Sequence, residues 1–164
     1  MHNRRDWIAM MVVILSAIMF IPVAQAQRQD FEIMQCNSAT ANVVHSTPEL
    51  GLSTVDSKGI IQSTHENKLF DNWSRHSVFL IKRIGGNMTY NGVVKQVAPD
   101  GDFIVWEYYG DGKSGSTAKA IYGTGKWKDV KGVFKGQRVT KGKPIAPATD
   151  QFCEKAVGWI EVPK

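Results

Sequence analysis

The sequence predicts an all-β protein, a single antiparallel β-barrel of about eight strands behind a cleaved N-terminal signal peptide. Three observations carry that expectation. From residue 77 onward, short β-type runs are separated by turn residues that recur about every 8 to 12 positions, the spacing of a sandwich or barrel. Across residues 27–64, no window shows the apolar spacing of three and four that a helix needs. The first residues run Arg4-Arg5, an uncharged apolar stretch over 7–23, then Ala24-Gln25-Ala26, the order of a secretory signal. Barrel closure is preferred over an open sandwich because it removes exposed strand edges.

Each element follows in order. Cleavage is expected after Ala26, which makes 1–26 the signal and 27–164 one domain of 138 residues, long enough to bury a core without metal. An uncleaved anchor is the alternative, since about 17 apolar residues is the low end of spanning length. Residues 27–64 are polar and irregular, with strands poorly defined. Pro48, Gly51 and Gly59 interrupt anything helical there, and the one helical candidate in the domain is 65–75. Strands are then expected over 77–84, 88–98, 103–109 and 116–122. Turns at Gly85-Gly86-Asn87, Pro99-Asp100-Gly101-Asp102 and 110–115 separate them. Residues 123–136 read as two short strands around 129–132, and 156–162 closes the chain.

The export signal sets the compartment as periplasmic or extracellular. Cys36 and Cys153 are the only cysteines, and in an oxidising compartment two such thiols are expected to bridge. No neighbouring residues make either a recognisable nucleophile. Losing Arg4, Arg5 and Asp6 with the signal lowers the formal charge from +5 to +4, too weak a basic excess to imply nucleic acid.

At Gly123-Thr124-Gly125-Lys126-Trp127-Lys128-Asp129-Val130-Lys131-Gly132, preceded by Gly110-Asp111-Gly112, the chain resembles the allene oxide cyclase and dirigent-like β-barrels. Small exported bacterial proteins that carry the pattern are closer still, and the likeness extends to residues 65–72. Tyr122 stands where the family often has its first glycine. The resemblance covers about residues 100–136 and implies a barrel, calycin-like or allene oxide cyclase-like, but no catalytic residue. Read from the residues, Gly123, Gly125, Trp127 and Gly132 form a structural motif, with the glycines allowing close backbone approach and Trp127 pointing inward. A phosphate loop is the alternative, but no helix follows whose N-terminus would complete it.

Several residues are candidates for chemistry. Alternation places Phe103, Val105, Glu107 and Tyr109 on one face of their strand. If that face lines a lumen, these residues with Trp127 contact ligand, and a desolvated Glu107 can act as general acid or base; the outer-face alternative leaves Glu107 a plain surface carboxylate. His65, Asn67 and Asp71 are candidates for the barrel mouth, or for loop hydrogen bonds. His65, Glu66, His76 and His45 match no metal-ligand spacing, and neither a metal nor a cofactor is expected. Lys126, Lys128, Lys131 and Lys135, continued by Arg138, Lys141 and Lys143, form a basic run with aromatics interleaved. It is either a solvated hairpin face or a site for an anionic envelope component. The leading expectation is a binding protein for a small, largely apolar molecule in the lumen or mouth. A cyclase or isomerase-like enzyme and an envelope-interaction protein are the alternatives, and an oligomer is left open.

Overall fold

The computed structural model describes residues 27–162, so the expected signal peptide lies outside the described residues. Eight strands close a barrel in chain order: β1 Gln27–Ser46, β2 Leu50–Ser63, β3 Trp73–Ile84, β4 Asn87–Val97, β5 Phe103–Asp111, β6 Gly115–Gly123, β7 Lys131–Lys141 and β8 Thr149–Val162. Every neighbouring pair is antiparallel, including β8 with β1. No described helix is long and apolar enough to cross a membrane.

The expected strand count and antiparallel order hold, while three local expectations do not. Residues 27–64, poorly defined in the sequence, form the two long strands β1 and β2. Residues 65–75 are not a helix: Lys68, Phe70 and Asn72 take φ of +52° to +65°, which folds the connection into successive tight turns before β3 starts at Trp73. Residues 123–136 hold a 3₁₀ turn, Gly125–Trp127, and then the first half of β7 in place of two short strands.

Alternation along each strand sends one set of side chains inward, and their chemistry divides the interior in two. Toward the end that carries the connections 64–72, 98–102 and 124–130, the inward residues are Phe31, Ile33, Trp73, Ile104, Trp106, Phe134 and Ile160, all buried. The turns of the 64–72 connection then push Phe70 into this end as a stopper. Its ring meets Phe31 at 4.7 Å, Trp73 at 4.8 Å and Trp127 at 6.1 Å between centroids. Burying each such ring is worth roughly 1.5–3 kcal/mol, so this end is sealed by apolar packing.

Cys36 and Cys153 face each other as partners on β1 and β8 and are disulfide-bonded, with Cα atoms 4.1 Å apart. The bridge joins the first and last strands across 117 positions of sequence, a closure worth on the order of 4–5 kcal/mol in the chain-entropy account. Such a bond suits an oxidising, exported environment.

Candidate binding cavity

Beyond the aromatic seal the inward residues turn polar. Gln35, Asn37, Ser57, Arg75, Ser77, Gln96, Ser116 and Glu154 are all buried, each placed inward by the same alternation that places the aromatics. The Arg75 guanidinium donates to Asn37 Oδ1 at 3.0 Å and to Glu154 Oε2 at 3.4 Å. Tyr108 donates its hydroxyl proton to Glu154 Oε1 at 2.9 Å. A buried ion pair persists when further hydrogen bonds satisfy its members, and here Asn37 and Tyr108 supply them. The Arg75 Nε–H nonetheless has no partner among the described residues.

From this polar layer Arg75 and Glu154, with Tyr108, form the floor of a cavity of about 440 Å³, inside the range of roughly 300–1,000 Å³ usual for small-molecule sites. Phe79, Ile81, Met88, Tyr90 and Phe152 wall it, and Arg83, Lys113, Arg138, Lys141, Asp111 and Asp150 stand around it toward the opposite end of the barrel. The rings of Tyr90 and Tyr108 stack at 5.8 Å, with Phe79 within 6.4 Å of both. Tyr90 donates to the Gly115 carbonyl at 3.0 Å. Arg138 lies 4.1 Å over the Phe152 ring while pairing with Asp150 at 3.1 Å. Burial pushes the Tyr90 phenol up to about 12. Tyr108 is raised further, first by burial and then by the Glu154 charge, so both hydroxyls remain protonated donors at neutral pH.

The sequence-derived candidates fall mostly elsewhere. The lumen placement of Phe103, Val105, Glu107 and Tyr109 is corrected: they occupy the outer face of β5, with Tyr109 52% exposed and Glu107 exposed opposite Lys119. Ile104, Trp106 and Tyr108 take the inner face, where the Trp106 indole lies so close to Gly132 that an added Cβ would meet it at 3.3 Å. Trp127 does point inward, yet it belongs to the seal, T-shaped against Trp73 at 5.2 Å, and not to the cavity wall.

His65, Asn67 and Asp71 sit at the sealed end and not at the open mouth. Asp71 Oδ1 accepts the Ser63 N–H at 2.8 Å and Asn67 Nδ2 donates to the Asp30 carbonyl at 2.9 Å, while His65 Nδ1 accepts from the Asn67 N–H; these bonds hold the stopper loop. His76 bonds Asp56 on the outer surface. The described residues contain no group of three potential metal ligands.

The glycine motif is a structural clasp. Gly125 takes φ +50°, and a Cβ there would fall onto the Asp102 carboxylate. That carboxylate instead accepts from Thr124 Oγ1 and from the Lys126 N–H, both at 3.3 Å. Through these two bonds Asp102 ties the β4–β5 turn to the β6–β7 connection. A Cβ at Gly123 would collide with the Trp127 carbonyl. The basic run is dispersed: Lys126 pairs with Asp100 at 2.6 Å, Lys131 lies opposite Glu161 and Lys135 opposite Val157. Arg138 and Lys141 reach the cavity.

Sequence reasoning missed Arg75, Glu154 and Tyr108. A signal was available for Tyr108 alone: a hairpin centred on Lys113 sets Glu107 against Lys119, an opposite-charge pair suited to an outer face, which sends Tyr108 inward.

No family model and no curated protein matches the sequence. Among solved structures, two pterocarpan synthase dirigent proteins share the fold. One has a TM-score of 0.54 at 9% identity, with 85% of this chain and 94% of that chain covered. The other has a TM-score of 0.53 at 10% identity, covering 85% and 99%. The eight-stranded closed barrel and these neighbours together bear out the resemblance at the level of fold: the chain has the fold of the dirigent-like β-barrels.

Proposed function

We propose that the protein binds a small, largely apolar molecule in the half of its barrel that the aromatic seal leaves unfilled. The observation that carries this reading is the cavity of about 440 Å³ with aromatic walls over a hydrogen-bonded Arg75–Glu154–Tyr108 floor. Apolar walls supply affinity by burial, and a few fixed polar groups supply orientation.

A neutral naphthyl probe, N-phenyl-1-naphthylamine, tests the reading by its fluorescence gain on binding. The expected result is saturable binding to the wild type and loss of that binding in Ile81→Trp, whose indole projects into the cavity, with unfolding temperature preserved. Equal binding by both proteins would remove the cavity as the site.

A second reading, that the barrel also steers a reaction of the bound molecule, is favoured by the Glu154 carboxylate and Tyr108 hydroxyl at 2.9 Å within the cavity floor. The two solved neighbours are pterocarpan synthase dirigent proteins, and that description is theirs. Glu107, exposed on the outer face, has no part in it. Native mass spectrometry before and after incubation separates the readings: a co-purified molecule recovered unchanged supports binding alone.

A further inference from the structure

The geometry points to an amphipathic organic anion as the class of ligand: an apolar, ring-sized body held by the walls, with a carboxylate or similar oxyanion left at the rim. This inference rests on the cavity being the binding site. Five basic and three acidic side chains line the cavity, and the acids are already engaged. Glu154 is held by Arg75 and Tyr108, Asp150 by Arg138, and Asp111 by the N–H groups of Lys113 and Ser114 in its own hairpin turn. Those two backbone donors hold the Asp111 carboxyl below the usual carboxylate range.

Arg83, Lys113 and Lys141 remain, and among the described residues none of them has a carboxylate in salt-bridge range. They come from separate places, the end of β3, the β5–β6 turn and the end of β7, yet all three line one cavity. Arg83, Lys113, Arg138 and Lys141 outnumber Asp111 and Asp150 around the rim, and a net positive rim over low-dielectric walls raises the local concentration of oppositely charged ligand. The floor differs: Arg75 and Glu154 balance each other there, so a fully buried anion would meet an adjacent carboxylate. The charge pattern therefore orients the ligand body-first, with its anionic group at the net positive rim of Arg83, Lys113 and Lys141.

Two probes of matched shape isolate the charge: 1-anilinonaphthalene-8-sulfonate carries a sulfonate, and N-phenyl-1-naphthylamine lacks it. Wild-type protein is expected to bind the sulfonate at least about tenfold more tightly at low salt, the size of one charge-assisted contact. The preference should shrink as salt rises, because the rim cations are exposed. Arg83→Glu/Lys141→Glu should abolish or invert it, read as the ratio of the two probe affinities, with the circular dichroism spectrum unchanged. Lys113→Glu, on an exposed turn, is the fallback if the double variant does not fold, and should lower the preference severalfold. An equal or weaker affinity for the sulfonate in wild type, or a preference unmoved by these variants, overturns the inference while Ile81→Trp still blocks the neutral probe. If Ile81→Trp blocks neither probe, the cavity reading falls as well.

Discussion

The two halves of this barrel are built from the same strands and differ in what alternation turns inward. In β1 the inward series runs Phe31, Ile33, then Gln35, Asn37; in β8, read from the other end, Ile160, Ala156, then Glu154. In β5 it runs Ile104, Trp106, then Tyr108. One half is a dry core of interlocked rings, and the other is a polar layer below an open cavity. The difference teaches that a single closed sheet can be both core and container, with the boundary set by which residue occupies the third or fourth inward position.

The sharpest way to break the comparison is to hollow each half in turn. Trp106→Ala, in the sealed half, is expected to cost about 4 kcal/mol, the usual size for an aromatic removed from a packed core. Phe79→Ala removes a ring already facing the cavity and should cost about 1–2 kcal/mol. Urea unfolding of both variants checks the contrast, and equal losses would mean that the open half is as tightly packed as the sealed one.

A second test sharpens the boundary. Glu154→Leu strands the Arg75 charge in the interior and should cost about 3 kcal/mol. Adding Arg75→Met to that variant should restore most of the loss, because replacing both partners removes the uncompensated charge. A double-mutant cycle reads the coupling directly; an additive result would show that the pair does not hold the floor together.

The smallest expected effect concerns the cavity wall at high pH. Folding raises the Tyr90 phenol to about 12 through burial, from about 10 in a free chain. A raised pKa means the neutral form is favoured by folding. Its contribution is complete below about pH 10 and is lost as pH climbs toward about 12. Thermal unfolding between those limits should fall less steeply in Tyr90→Phe than in wild type.

The boundary between the halves also decided what could be read from the sequence. The strands from residue 77 onward were legible because turn residues punctuate them and their inward positions are largely apolar. β1 and β2 were not, since Gln35, Asn37, Ser53 and Ser57 sit at inward positions and erase the apolar alternation by which a half-buried strand is recognised. The first half of β8 was lost in the same way, at Asp150 and Glu154. The residues that build the floor of the candidate site are thus the ones that hid the strands carrying it. In β5 the difficulty was the reverse: Phe103, Val105 and Tyr109 outside match Ile104, Trp106 and Tyr108 inside, so hydrophobicity alone could not choose a face, and Glu107 stayed open between lumen and surface.

The seam between β1 and β8 has a consequence for the order of assembly. Each of the other strand pairs joins neighbours in the chain and can zip from a short turn, whereas the last pairing must bring together residues such as Cys36 and Cys153, 117 positions apart. Loop closure over that distance yields no contact until both ends have arrived. The barrel therefore cannot be a barrel until its final strand exists: before then it is a curled sheet with two open edges, its aromatic half unsealed along one side. Oxidation of the two thiols converts that late, reversible meeting of edges into a permanent hoop.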